Sequence, residues 1–190
     1  VVIKPYNGNH GRGVTLNIMN REQVEVAVEV AKQHARTLVV EDMIKGFDHR
    51  MLVVNGELIA VAKRVPGHVV GDGRSTIQQL VDVVNEDPRR GIGHEKVLTR
   101  IEIDHQAERL LEDAEYALDT VLADGEVFYL RSTGNLSTGG TAIDMTDEVH
   151  PDNREMAMRA AKAIGLDVAG VDFITPDITR SFREIGGAIC

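Results

Sequence analysis

The feature that most narrows the fold is Asn55-Gly56, set between two β-prone runs at 48–54 and 57–65. Asn-Gly accepts the positive φ angles of a tight hairpin turn, so the flanking runs are expected to fold back on each other as antiparallel strands. Residues 1–3 form a shorter β-rich run ended by Pro5, and 14–18 reads as its hairpin partner across a glycine-rich loop. Asn20 with Gln23 then has the form of a capping box. Val24, Val28 and Ala31 recur at helical spacing, and 37–40 starts another strand.

Further along, Ser75 with Gln78 caps a second expected helix through about Asn85, whose Ile77, Leu80, Val81 and Val84 share one face. A charged stretch at 86–104 leads into a modest helix from about His105 to Glu115. The last section predicts a helix from about Asn153 to Ile164 stopped by Gly165, a strand at 168–174, a turn at Pro176-Asp177 and a final strand from about Ser181. No internal repeat or low-complexity segment is visible. The pattern is α+β, two hairpin-bearing lobes with helices laid on one side, and a cleft between such lobes suits a nucleotide.

Composition excludes some functions. A net charge of −9 and few aromatic residues argue against nucleic acid as partner. The single cysteine, Cys190, forms no internal disulfide, and no apolar run suits a bilayer or a secretory signal, so no membrane partner and a cytoplasmic location are expected. The chain opens inside Val-Val-Ile-Lys-Pro and stops inside Gly-Gly-Ala-Ile-Cys, which reads as a fragment of a longer polypeptide.

Several residues could carry chemistry. Residues 126–151 run from an apolar strand through Arg131 into a hydroxyl-rich loop with paired glycines, a composition suited to wrapping backbone donors around an anion. Lys4 ends the first run, before a loop holding Gly8, His10, Gly11, Arg12 and Gly13. Glycines let a backbone approach phosphate and lysine supplies a charge, although a plain flexible hairpin is an open alternative and no Walker pattern is present. Glu41 and Ile44 follow a Val-Val run that could meet an adenine edge, with Asp48 in reach of ribose; on these residues alone a solvated acidic turn is the favoured reading. Asp172 lies in an apolar strand, where a carboxylate needs a metal or a charge-assisted hydrogen bond. Arg50, Arg64 and Arg131 each fall in or at the end of an expected strand, fitting a bidentate grip on carboxylate or phosphate oxygens, with ordinary ion pairs as the alternative. The seven histidines form no zinc signature, no Gly-x-Ser-x-Gly elbow exists, and residues 85–96 could be a solvated loop or an electrostatic landing site.

Lys4-Pro5, the 8–14 loop, residues 41–48 and the Asp172 strand, in this order, resemble the ATP-grasp superfamily. A narrower likeness is carried by Asn9-His10-Gly11-Arg12-Gly13-Val14, Asp48-His49-Arg50, His68-Val69-Val70-Gly71-Asp72-Gly73, Asp87-Pro88-Arg89-Arg90-Gly91, Gly93-His94-Glu95-Lys96-Val97-Leu98 and Asn135-Leu136-Ser137-Thr138-Gly139-Gly140. Together these span essentially the whole chain and resemble the ATP-grasp domain of the cyanophycin synthetase family. The resemblance implies an ATP-grasp fold, with two antiparallel-sheet lobes and nucleotide bound between them. Residues 1–41 would be part of the small lobe, and 42–190 the large lobe with a charged helical insertion at about 66–125.

It also implies an ATP- and Mg²⁺-dependent ligase that phosphorylates the terminal carboxylate of a poly-aspartate or cyanophycin primer and joins aspartate to it. Lys4 would contact the α and β phosphates, and His10, Gly11, Arg12 and Gly13 would close over the γ-phosphate. Glu41 and the backbone near Ile44 would meet adenine, Asp48 the ribose and Asp172 the magnesium ion. Arg64 and Arg131 would act catalytically on the transferred phosphoryl group or a substrate carboxylate, with Arg50, Asn135, Ser137, Thr138, Gly139 and Gly140 lining the acceptor site. The family implies a homo-oligomer and, beyond Cys190, a Mur-ligase-like domain that adds arginine. ATP-grasp ligases follow the last strand with Glu-x-Asn, and this chain stops one residue earlier, so the fragment alone is expected to bind nucleotide weakly and catalyse little. A glutathione synthetase half of a bifunctional enzyme shares the Val-Val-Gly-Asp-Gly and Asn-x-Ser-Thr-Gly-Gly runs, but Arg89-Arg90 and Gly-His-Glu-Lys-Val-Leu favour the first reading. From another class, a module that senses nucleotide without turnover is the remaining alternative.

Overall fold

The computed structural model describes residues 1–7, 12–93 and 95–190, which fall into two units, Val1–Lys45 and Gly46–Cys190.

In the first unit, β1 (Val2–Pro5) is followed by α1 (Arg21–Lys32) and β2 (Leu38–Glu41), and the two strands pair antiparallel with Ile3 opposite Val40. Ala27 and Ala31 of α1, with Val24 and Val28 beside them, pack on Ile3 and Ile18. The Asn20 side chain accepts from the Gln23 amide, while Gln23 reaches back one residue further than expected, to the Met19 amide. The expected hairpin of 1–3 with 14–18 is not formed. Residues 14–18 meet β1 only at the Ile3–Thr15 bridge, flanked by bonds between Val1 and Ile18, because Asn17 at φ 59° leaves the extended conformation. The partner of β1 is β2 instead.

The second unit begins with β3 (Phe47–Val54) and β4 (Glu57–Val65), joined at Asn55 and Gly56, both at positive φ as a tight hairpin needs. There follow β5 (His68–Val70), α2 (Ile77–Asn85), β6 (Arg90–Gly91), β7 (Leu98–Thr99), α3 (His105–Asp113) and β8 (Val127–Tyr129). The chain ends with β9 (Thr141–Asp144), α4 (Pro151–Ile164), β10 (Val168–Thr175), α5 (Phe182–Ile185) and β11 (Ala188–Ile189). Five of these strands form one antiparallel sheet in the order β11-β10-β3-β4-β9. Side chains alternate across it. Met51, Val53, Val61, Val171 and Phe173 point to the face covered by α4, where Ala157 and Ala161 complete the core. A second cluster gathers Val69, Phe128 and Leu130 with Ile77, Leu80 and Val81 of α2 and Ala107 and Leu111 of α3.

Three local readings shift. The α2 cap is Thr76, with Gln79 closing a full capping box, because Ser75 gives its backbone N–H and hydroxyl to Asp72. α4 starts at Pro151, whose fixed φ suits a first helical turn. Asn153, expected near the cap, is buried, donates to the Ile178 and Arg180 carbonyls and accepts from the Phe182 amide. In place of a strand from Ser181, the Ser181 hydroxyl caps the single turn of α5, and only Ala188 and Ile189 return to the sheet. The charged stretch at 86–104 also contains the short parallel pair β6–β7. Among the described residues no helix is long and apolar enough to cross a membrane.

Candidate functional site

With its apolar side chains on the α4 face, the five-stranded sheet turns the alternate residues of three neighbouring strands the other way. Asp48 and Arg50 of β3, Arg64 of β4 and Asp172 of β10 lie on that second face, and the register sets Asp48 opposite Arg64 and Asp172 opposite Arg50. Arg64 Nη2 stands 2.7 Å from Asp48 Oδ2 and 3.1 Å from Asp172 Oδ1, while Arg50 Nε reaches Asp172 Oδ1 at 2.7 Å. The result is a chain of alternating charge, Asp48–Arg64–Asp172–Arg50, that brings together four residues proposed from sequence for four different jobs. Arg64 is its least exposed member, with a side chain only 14 % accessible. Burial pulls its pKa down, but the hydrogen bond and charge of Asp48, and then the charge of Asp172, outweigh this and hold it above the ordinary arginine value.

Arg50 can lie flat on β10 because residue 170 is glycine. A Cβ there would stand 2.6 Å from Arg50 Nη1 and 3.1 Å from its Cδ. Asp172 Oδ1 is itself buried and receives no well-directed hydrogen bond, despite two guanidinium nitrogens near it. A carboxylate oxygen so placed fits one position of a hard, oxygen-seeking cation. Among the described residues no group of three or more His, Cys, Asp or Glu side chains converges to hold a metal ion.

Arg131 occupies a different setting from the one expected of it. It is 4 % exposed, and its guanidinium is engaged throughout by protein. Nη1 meets Asp104 Oδ1 at 2.5 Å, Nη2 donates to the Glu102 carbonyl at 3.0 Å, and Nε donates to the Thr138 carbonyl at 3.1 Å. Asp104 also caps α3 through the Gln106 and Ala107 amides. Burial raises the Asp104 pKa, but these amides and Arg131 override it and hold the carboxyl below its usual range. A guanidinium buried and bonded in this way is set to support the surrounding chain, in contrast to the catalytic position expected of Arg131.

What Arg131 supports is the loop at 135–140. Leu136–Thr138 forms a 3₁₀ turn, and Gly139 follows at φ 92°. The Thr138 and Gly140 amides both donate to the Asn135 carbonyl, fixing Asn135 and Thr138 half-buried and Ser137 exposed. Gly140 and Gly134 press on β4: a Cβ at 140 would lie 2.9 Å from the Val65 carbonyl, and one at 134 would lie 2.8 Å from Arg64 Cβ. The loop therefore sits beside Arg64. The Gly139 carbonyl is held at 2.9 Å by Arg90, which was not among the site residues singled out from the sequence.

In the first unit, Lys4 Nζ and Glu41 Oε1 form an ion pair at 2.5 Å across β1 and β2, joining residues assigned from sequence to phosphate and to adenine. Ile44 is half-buried and Arg12 exposed. His10 and Gly11 lie outside the described residues.

Comparison with known proteins bears on all of this. Residues 1–88 match the family described as the ATP-grasp domain of prokaryotic glutathione synthetase. Over its whole length the chain is 54% identical, across 189 residues, to cyanophycin synthetase of Trichormus variabilis, and 51% identical, across 191, to that of Synechocystis sp.; it covers 21% and 22% of those proteins. It is 38% identical across 183 residues to the glutathione biosynthesis bifunctional protein of Pasteurella multocida, covering 95% of this chain and 24% of that protein. The crystal structure of a bifunctional glutathione synthetase from the same organism superimposes with a TM-score of 0.66 at 37% identity, over 95% of this chain and 24% of that one. The chain thus spans about a fifth of the length of these cyanophycin synthetases, and its α+β architecture is the ATP-grasp fold.

Proposed function

We propose that this chain is the ATP-grasp portion of an ATP-dependent carboxylate–amine ligase of the cyanophycin synthetase kind, which extends a poly-aspartate backbone with aspartate. The observation that carries the reading is the 51% to 54% identity sustained over the whole chain, against 35% to 38% for the bifunctional glutathione proteins. In the reaction, a carboxylate oxygen of the acceptor attacks the γ-phosphorus of ATP and ADP leaves. The incoming amine then attacks the acyl carbon, phosphate departs with one former carboxylate oxygen, and the amine gives up a proton.

Each step concentrates negative charge on oxygen, so the residues needed are fixed cations and directed donors. Arg64, braced by Asp48 and Asp172, presents such a cation with little rotamer freedom left to lose. Arg50 lies over Gly170, paired with the same Asp172 oxygen as Arg64, and is exposed enough to exchange Asp172 for a substrate carboxylate. Asn135 and Ser137, on the loop seated against β4, are assigned to the acceptor. Lys4, Arg12, Glu41, Ile44 and the loop residues His10, Gly11 and Gly13 are assigned to the nucleotide. Asp172 would hold Mg²⁺, whose contribution is to neutralise phosphate oxygens.

The test is isotopic. In the polypeptide that carries this chain, a primer labelled with ¹⁸O in its terminal carboxylate should deliver one label to the released phosphate for every bond formed. Release of unlabelled phosphate during bond formation contradicts an acyl phosphate and with it the assignment.

A further inference from the structure

Arg90 takes no part in the charged sheet face, yet it is one of two guanidinium groups buried against the 135–140 loop. It is 5 % exposed, and Nη1 donates to two carbonyls, Thr99 at 2.6 Å and Gly139 at 2.9 Å. The carboxylate nearest in sequence, Asp87, is taken by Arg89 through three contacts of 2.7 to 3.2 Å. A buried guanidinium served by carbonyl dipoles is an expensive way to fill space, since its desolvation is offset by no bonded carboxylate among the described residues. Consistent with that, burial pulls the Arg90 pKa down and the charge of Asp87 opposes the effect incompletely.

The position of the two bonds shows what this cation achieves. The last carbonyls of a 3₁₀ turn lack partners within the turn, and here two consecutive ones, Thr138 and Gly139, are met by Arg131 and Arg90. The contacts come from separate elements, β6 and the chain after β8. Gly139 also approaches residue 101 so closely that a Cβ would fall 2.8 Å from Ile101 Cγ1. At its other side the loop rests on β4 at Arg64 and Val65. The loop thus bridges the α2–β7 region and the charged sheet face, and Arg90 is the tie at one end.

We infer that Arg90 is a positioning residue that acts through the Gly139 carbonyl to fix the 135–140 loop beside Arg64. Its catalytic consequence rests on the ligase assignment above; its structural consequence does not. Arg90→Met removes both bonds while keeping much of the buried volume. Arg90→Lys keeps the charge and can serve one carbonyl, which secures the test if the first variant folds poorly.

Amide hydrogen exchange in the full polypeptide should rise about tenfold or more in peptides covering 135–140 for Arg90→Met, and less for Arg90→Lys, with β3 peptides unchanged. The KM for primer should rise or kcat should fall, and the KM for ATP should hold. Unchanged loop exchange, or loop and β3 exchange rising together, overturns the inference. Should loop exchange respond as stated while the unaltered polypeptide shows no ligase activity, the ligase assignment fails and the positioning role stands.

Discussion

Arg64→Ala is expected to lower kcat by about 10²–10³-fold, the scale on which a preorganised donor to a developing oxyanion counts. The expectation rests on Arg64 being the shared cation of Asp48 and Asp172, with contacts at 2.7 and 3.1 Å. Removing it takes away the positive charge and leaves two carboxylates on one sheet face without the group that separates them. Asp172 keeps Arg50, whereas Asp48 keeps no partner of this set. The cost to stability should be smaller than the cost to turnover. Asp48 and Asp172 are 30 % and 32 % exposed, so solvent screens them and the loss should be about 1–2 kcal/mol rather than the full penalty of a buried pair. Arg64→Lys should retain most of the stability and recover little of the rate, because an ammonium cannot face both carboxylates and a substrate oxygen in one plane. Steady-state phosphate release alongside urea unfolding checks both halves. A loss of turnover that merely follows the unfolded fraction would make Arg64 a structural ion pair.

Phe173→Ala should cause the largest loss of stability, about 3–5 kcal/mol, as for other fully buried aromatic side chains cut back to alanine. Phe173 is 1 % exposed at the centre of the α4 face of the sheet, and its ring meets Phe182 edge to face at a centroid distance of 6.4 Å. It also supports the end of the chain, because a Cβ at Gly187 would stand 2.7 Å from its Cζ. Phe182→Ala, at the partly buried partner, should cost clearly less. Activity is expected to fall with stability, since Asp172 precedes Phe173 on β10 and loses its register when the ring is gone. Urea titrations with unchanged m values measure the difference, and a change under about 1 kcal/mol would mean that the sheet is not seated on Phe173.

What could be read from the sequence divides along the range of the interactions. The Asn55-Gly56 hairpin and the apolar faces of α1 and α2 depend on neighbours a few residues apart, and the structure carries them. The pairing of β1 with β2 joins Ile3 to Val40, while the sequence offered the nearer 14–18 segment, and only the φ of Asn17 excludes it. Ser75 was the expected cap, but Asp72 holds its amide and hydroxyl and the cap falls to Thr76.

The site followed the same rule. Arg50, Arg64, Asp48 and Asp172 could each be named as charges in or beside strands, but their union needs the register of three strands, one of them contributed more than 100 residues later. Arg131 looked like the other strand arginines. Its inward direction depends on Glu102 and Asp104, which lie in a segment that the sequence shows only as charged. For Arg90 one clue existed: with Asp87 within reach of Arg89, the second arginine of the pair had no local carboxylate.

The most direct test of the central claim is phosphate release by the polypeptide carrying this chain, supplied with ATP, Mg²⁺ and a cyanophycin-like primer, with aspartate compared against glycine. Release that requires both primer and aspartate is the predicted result. Release that instead requires glycine and a glutamyl-cysteine acceptor, or no release with any combination, would contradict it.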